Sequence, residues 1–382
     1  MTERERFIET LLFGRPDRIP LMPGGPREST LAAWHRQGLP ERISYFDHLL
    51  ETLGIERPPA IDRIHPKANF RMIPQFEEKV VERRQRTLIV QDWKGNICEI
   101  SNQYGVRHLR DAVDFVTRTW IKCPVQTRED WEDMKRRYDP DEPARFEQDF
   151  EEKCARVRRR QHVVTVGFAG PFWQLREWCG FEGLCILFID DPQRVHEMVD
   201  FWRDFVSAVL EKLLRHLVPD CVHISEDMAY KEKSMISPAM VREFLLPCWS
   251  QWCRQVRSAG VPLIDMDSDG YVGELIPLWI EAGVNVCDPI EVAAGNDIVE
   301  YRRQFGRKMA FRQGVDKRAI AKGGRVIRAE MERVRPVVRD GGYIPGCDHG
   351  VPPDISWPTF VEYTRILAEM TGWLQPLGPD IQ

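Results

Sequence analysis

Between residues 163 and 346, six short apolar runs alternate with amphipathic stretches, and this rhythm constrains the fold more than any other feature of the chain. The runs are Val163-Val-Thr-Val-Gly-Phe, Cys221-Val-His-Ile-Ser, Val261 to Asp267, Val284-Asn-Val-Cys-Asp, Met309-Ala-Phe-Arg-Gln-Gly and Gly342-Tyr-Ile-Pro-Gly. Residues 192–217, 237–259, 271–282 and 317–339 lie between them and read as helices. Continuous apolar strands alternating with such helices imply a parallel sheet with right-handed crossovers. A further strand near Ile19 and another near Ile55 bring the number to that of an α/β (β/α)8 TIM barrel. A doubly wound open sheet is the alternative, but no Gly-x-Gly-x-x-Gly follows an early strand.

The first part of the chain reads as an extension to this barrel. Residues 1–13 form an amphipathic helix with Phe7, Leu11 and Leu12 on one face, residues 28–54 are helical, and 55–75 are Pro-rich and irregular. Lys94-Gly-Asn, flanked by Arg86-Thr-Leu-Ile-Val-Gln-Asp-Trp and Ile97-Cys-Glu-Ile, is a hairpin signal. Residues 112–160 carry charged helical segments. The expectation is one barrel domain over 1–382, with the helical and hairpin extension in about 1–120 and the main β/α run in about 160–372. The tail, Pro376 to Gln382, reads as loose.

A chain of 382 residues, 43% hydrophobic, can bury a core of that size. A net charge of -5 gives no basic field for nucleic acid or an anionic membrane. The ten cysteines stand singly with no Cys-x-x-Cys, which argues against a zinc ribbon and for reduced core thiols. No apolar run reads as a signal segment or a membrane span, so a cytoplasmic protein is expected. The apolar N-terminal helix leaves room for a homodimer.

In a barrel, chemistry gathers where strands end. Pro262-Leu-Ile-Asp-Met-Asp-Ser-Asp-Gly places Asp265, Asp267 and Asp269 on alternate positions, where like charges need a proton, a cation or a metal ion. Glu226 and Asp227 end the preceding run, and Phe172 and Trp173 follow the first one. Arg312 and Lys317 follow a later run, and His349 sits in a Pro-rich loop after the last. His223 is expected to face the core or the helical layer. Asp267, Asp269 and His349 together suit a divalent first-row ion, zinc foremost. Glu226, Asp227 and Asp265 are the candidate acids and bases. Phe172 and Trp173 are candidates for an apolar wall, and Arg312 and Lys317 for a clamp on an anionic group.

Several motifs resemble the uroporphyrinogen decarboxylase superfamily: the opening Leu12-Phe-Gly-Arg-Pro-Asp-Arg-Ile-Pro, Gly170-Pro-Phe-Trp-Gln-Leu-Arg, Ile236-Ser-Pro-Ala-Met-Val-Arg-Glu-Phe, Asp269-Gly270, and Gly350-Val-Pro-Pro-Asp. The resemblance implies a (β/α)8 barrel with an N-terminal extension. True decarboxylases of this superfamily hold porphyrinogen carboxylates with an Arg-rich motif; here Leu21-Met-Pro-Gly-Gly-Pro-Arg-Glu-Ser keeps only Arg27. The chain is more similar to the branch of methyltransferases that act with corrinoid proteins. Their zinc ligands, His-x-Cys-Gly and a later Cys, fall on Asp267, Asp269 and His349, a change from soft to hard donors. The resemblance therefore implies metal-assisted methyl transfer between a small O- or N-methylated substrate and a corrinoid protein. Decarboxylation of a tetrapyrrole or aromatic acid, and a non-catalytic corrinoid- or tetrapyrrole-binding barrel, are the alternatives.

Overall fold

The computed structural model describes residues 1–57, 61–111 and 116–375. Pro376–Gln382, read above as a loose tail, lies outside them. The architecture is a (β/α)8 barrel with an N-terminal extension. Six parallel strands form its regular part: β5 (Thr165–Ala169), β6 (Cys221–Ser225), β7 (Leu263–Asp267), β8 (Val286–Asp288), β9 (Ala310–Arg312) and β10 (Tyr343–Ile344), paired in sequence order. Before them, β1 (Lys79–Arg83), β2 (Thr87–Gln91), β3 (Ile97–Ser101) and β4 (Arg118–Lys122) make an antiparallel sheet. Five of the six parallel strands lie within the apolar runs, and β5 extends one residue past its run, to Ala169.

Neither additional strand, near Ile19 or near Ile55, is regular. The backbone from Ile19 to Pro26 instead runs extended beside β10 and the loop after it. Cys347 N–H donates to the Pro23 carbonyl at 3.1 Å, and Pro26 forms a single parallel bridge with Val351. Pro20, Pro23 and Pro26 lack the N–H groups that a continuous ladder needs, which explains the isolated contacts. Near Ile55 the chain leaves a helix at Gly54, whose positive φ of 69° ends it. The helix expected over 28–54 is two, Glu28–Arg36 and Tyr45–Leu53, separated at Gly38 and Pro40. The stretch 317–339 is likewise split at Gly323.

The hairpin at Lys94-Gly-Asn is present, with Thr87 opposite Ser101 and Gln91 opposite Ile97. It is the centre of the four-stranded sheet, whose last strand, β4, sits where the sequence suggested helix. Strand β4 has no buried side chain, so it carries no period-two signal to read.

Alternation along the strands divides the barrel interior into layers. The first inward residues, Cys221, Leu263, Val286, Ala310 and Ile344, cluster with Phe7 and Leu11 of the N-terminal helix Glu3–Leu11. That helix plugs the N-terminal end of the ring with Phe7 and Leu11, the face from which room for a dimer was expected, while Leu12 is exposed. Leu11 is 1% exposed, so Leu11→Ala should lower unfolding free energy by about 2–5 kcal/mol, read as a reduced urea midpoint.

Candidate functional site

Two residues above the plug layer, the interior turns from apolar to charged. The register puts His223 opposite Asp265, and Ser225 and Asp288 on either side of Asp267. His223 Nδ1–H donates to Asp265 Oδ2 at 3.0 Å, and its Nε2 lies 3.6 Å from Asp267 Oδ2. Arg312 Nη2 donates to Asp265 Oδ2 at 2.8 Å and also bonds Asp288. Five side chains from four neighbouring strands thus form one ion network.

Its electrostatics follow from burial opposed by counter-charge. Burial alone would depress the His223 imidazolium, but Asp265 and Asp267 overcome that and push its pKa up to about 10. Burial would raise Asp265, yet Arg312 and His223 together hold it below the ordinary carboxylate value. Burial pushes Asp288 up to about 6; Arg312 and, more weakly, His223 pull it down, while Asp265 and Asp267 add to the rise. Buried Arg312 is held charged by Asp265 and Asp288.

A second group spans the rim. His349 Nε2 meets Asp269 Oδ2 at 3.2 Å, and Arg27 Nη2 faces the other ring nitrogen at 3.4 Å. In the neutral imidazole, donation from Arg27 fixes the proton on Nε2. The hydrogen bond to Asp269 raises the His349 pKa; reciprocally, burial would raise Asp269, but His349 outweighs it. Lys317 Nζ is paired to Glu291 at 2.9 Å, and Arg176 to Asp227 at 3.0 Å.

Two cavities open at this end. One, of about 870 Å³, lies over the ends of β5 to β7, where Gly167, Trp173, Ser225 and Asp267 face segment 65–72 and Trp93. The other, about 430 Å³, lies over β9 and β10 beside Leu21 to Gly25 and includes Arg312, Gln313 and His349.

Several site expectations need correcting. Asp267, Asp269 and His349 do not come together as one set: Asp267 is engaged by His223 and only Asp269 meets His349. Strand β7 ends at Asp267, so alternation no longer aims Asp269, which turns to the rim. Among the described residues, no group of three or more His, Cys, Asp or Glu side chains is arranged to hold a metal ion. This donor arrangement does not fit the zinc centre that the resemblance implied.

Glu226 is fully buried and does not line either cavity. It accepts hydrogen bonds from Trp173 N–H at 3.1 Å and Trp249 Nε1–H at 2.6 Å, so it fastens the helix Pro171–Cys179 to the barrel. Burial pushes its pKa up to about 8. Phe172 is core, whereas Trp173 lines the larger cavity beneath the Arg176 guanidinium, 4.5 Å from its ring centre. Asp265 is 1% exposed and holds His223 rather than reaching a ligand. Arg312 and Lys317 are already bound to carboxylates and form no clamp. His223 was missed as a functional residue. The available clue was its parity: it shares a face with Cys221 and Ser225, opposite Asp265 in the neighbouring strand.

Linkage gives this network a pH signature. The His223 pKa is about 10 when folded against 6.5 for the free side chain, so its stabilisation is complete below about pH 6.5 and is lost as pH rises through about 10. Urea midpoints of the wild type should fall more steeply than those of His223→Gln from about pH 7 to 10. Parallel curves would remove the imidazolium assignment.

The family profile described as Uroporphyrinogen decarboxylase (URO-D) matches residues 112–364. The uroporphyrinogen decarboxylase of Alcanivorax borkumensis is 25% identical over 209 residues, 50% of this chain and 55% of that protein. That of Nocardia farcinica is 28% identical over 170 residues, 43% and 45% of the two chains. The chain thus spans about half the length of the curated relatives it matches. A solved methyltransferase from Methanosarcina mazei superposes over 97% of this chain and 98% of its own, with a TM-score of 0.57 and 13% identity, a likeness of fold. With two thirds of its length inside the profile, the chain belongs to the uroporphyrinogen decarboxylase family.

Proposed function

We propose that the chain is a methyltransferase that moves a methyl group between a small O- or N-methylated substrate and a corrinoid protein. The observation that carries this reading is the commitment of charge at the strand ends. Arg312, Lys317 and Arg176 are each paired with carboxylates, and Arg27 faces His349. Among these four only Arg27 faces an imidazole rather than a carboxylate. At the strand ends themselves, Asp227, Asp265, Asp267, Asp269, Asp288, Glu291 and Asp348 stand against Arg27, Arg176, Arg312, Lys317 and the two imidazoles, while the unpaired Lys67 and Arg71 lie on the outer wall of the larger cavity. A neutral or cationic methyl donor suits such a mouth; a polycarboxylate does not. The full-length likeness in fold to the Methanosarcina methyltransferase is compatible with this reading.

The chemistry follows from what the residues can do. As a methyl group leaves, its bonding electrons stay on the oxygen or nitrogen, which then needs a proton. His223 lines neither cavity itself, but its imidazolium lies 3.6 Å from Asp267, which lines the larger one, and it is the donor in this reading, with a pKa near that of a phenolic leaving group. Asp265 and Asp267 hold the ring and keep it charged. A docked corrinoid supplies the nucleophile that accepts the methyl group.

A second reading, decarboxylation of a tetrapyrrole acid, has one specific observation in its favour. Lys67 and Arg71, on the outer wall of the larger cavity, make no ion pair among the described residues. Incubation with reduced cobalamin and either 2-methoxyphenol or trimethylamine, followed by absorbance, should show alkylated corrinoid. Release of carbon dioxide from uroporphyrinogen with no methyl transfer would overturn the proposal. Within it, His223→Gln should lower kcat by roughly 10²–10⁴ with little change in KM. Asp267→Asn should move the alkaline limb of the rate profile to lower pH, because the imidazolium loses a counter-charge.

A further inference from the structure

The larger cavity carries opposite charges on its wall and its floor, and neither set is spent inside the protein. Its outer wall is the segment 65–72, where Lys67 and Arg71, both exposed, make no ion pair among the described residues. Behind this backbone lies Arg145, 1% exposed and without a carboxylate partner among the described residues. Its guanidinium donates instead to four backbone carbonyls: those of Asp139 at 2.9 Å, Arg137 at 3.1 Å, Asn69 at 3.2 Å, and Arg71. A buried cation answered only by carbonyls keeps its charge uncompensated. Two of those carbonyls belong to the wall, so Arg145 fixes the backbone between Lys67 and Arg71 and adds a third positive charge behind it. The nearby acids do not cancel this wall, since Glu147 is paired with Lys153 at 2.6 Å and Glu177 with Lys94. The floor has the opposite sign. Asp267 has a side chain 33% exposed, its one ion contact is His223 Nε2 at 3.6 Å, and its carboxylate accepts no hydrogen bond among the described residues. Phe70 of the wall meets Phe168 of β5 with ring centres 5.1 Å apart, so wall and barrel join across an apolar seam.

A ligand of one sign leaves half of this cavity unanswered. An anion on the wall leaves Asp267 facing it, and a cation on the floor leaves Lys67, Arg71 and Arg145 unopposed. A molecule with both charges, joined by an apolar spacer, answers both. Resting on the methyl-transfer reading, we propose that the larger cavity binds a zwitterionic methyl donor, a quaternary methylammonium carboxylate, with its carboxylate on Lys67 and Arg71 and its ammonium end toward Asp267. The Arg71 guanidinium offers a planar fork to the carboxylate and Lys67 a second charge, while Arg145 acts through the backbone as a positioning residue. The reaction balances. As the methyl group passes to the corrinoid nucleophile, the bonding pair stays on nitrogen, and the neutral tertiary amine that remains takes one proton from the His223 imidazolium. With a pKa of about 10, His223 is matched to an alkylamine.

Lys67 and Arg71 are exposed, so the double variant Lys67→Met/Arg71→Met removes the wall charge without endangering the fold. The measurement is calorimetric titration with trimethylammonio carboxylates in which one, three or five methylenes separate the charges. Two controls carry one charge each: the isostere with carbon in place of nitrogen keeps the carboxylate alone, and tetramethylammonium keeps the cation alone. For at least one spacer the wild type should bind the zwitterion roughly tenfold or more tighter than either control. In the double variant the Kd of that zwitterion should rise by a similar factor, with tetramethylammonium unaffected. The assignment is overturned if no zwitterion exceeds both controls, or if the double variant binds it as the wild type does. It is also overturned if uroporphyrin binds more tightly than every zwitterion and loses affinity in the double variant, which gives the wall to a polyacid. The outcomes separate the site from the reaction. Zwitterion binding with these dependences but no alkylated corrinoid keeps the site and removes the methyl transfer. Alkylation by trimethylamine with no zwitterion binding keeps the reaction and removes the site.

Discussion

The ion network of His223, Asp265, Asp288 and Arg312 is the constraint around which the rest of the barrel is arranged. A guanidinium taken out of water costs several kcal/mol unless close carboxylates answer it. Here one terminal nitrogen of Arg312 serves both Asp265 and Asp288, and Asp265 serves the imidazole as well. Each charge is tolerable only because its neighbours on the next strands are present. The network therefore ties β6 to β9 into one register, since a shift of one residue would turn these groups into the helical layer and leave them uncompensated. It also explains why the interior is closed off beneath. The plug of Phe7 and Leu11 keeps water from the underside of the network, which strengthens every interaction above it.

The same network sets the chemistry available at the mouth. It commits Arg312 to two carboxylates. By surrounding His223 with carboxylates, it keeps an imidazole protonated far above its ordinary range. Paired charges in the lumen thus leave a protonated imidazole against Asp267 at the strand ends. The scaffold contributes position rather than reactivity. Glu226 illustrates this: it touches no cavity, yet it fixes the helix that carries Trp173 into the larger one. Gly170 has to be a glycine for that to work, because a Cβ there would stand 2.1 Å from the Glu226 carboxyl carbon.

How much of this was legible depended on whether a feature has a period. The six parallel strands were legible because continuous apolar runs bounded by helices leave few other topologies, and the N-terminal helix because Phe7 and Leu11 share a helical face, though not that this face closes the barrel. Asp265 and Asp267 were correctly placed on one face by alternation. Asp269 was not, because the strand stops two residues earlier and alternation stops with it. The Asp269–His349 contact reaches across the mouth, from the loop after β7 to the loop after β10, with β8 and β9 between them. What sequence could not reveal was which way a polar residue turns when its two faces are both buried. His223 and Glu226 are close in sequence; the first faces the lumen, the second the helical layer. Pattern alone had favoured the reverse roles. Phe172 and Trp173 are adjacent, yet only the second reaches the cavity, since helix geometry separates consecutive side chains by about 100°.

Both non-glycine residues with positive φ at the mouth, Asp227 and Gln313, directly follow inward-facing strand ends or lie one residue beyond them. In each case a partner from elsewhere holds the conformation: Arg176 bonds the Asp227 carbonyl at 2.9 Å, and Tyr343 bonds that of Gln313. Relaxing either would cost little locally and would even be favourable. That these conformations persist shows that the packed barrel over-determines its rim. Asp tolerates this region better than Gln, so the greater strain falls on Gln313, in the smaller cavity. A barrel selected only for stability would place glycine at both positions. This one places side chains that can form hydrogen bonds, and the stability it gives up lies at the ends of the strands, where a ligand would meet them.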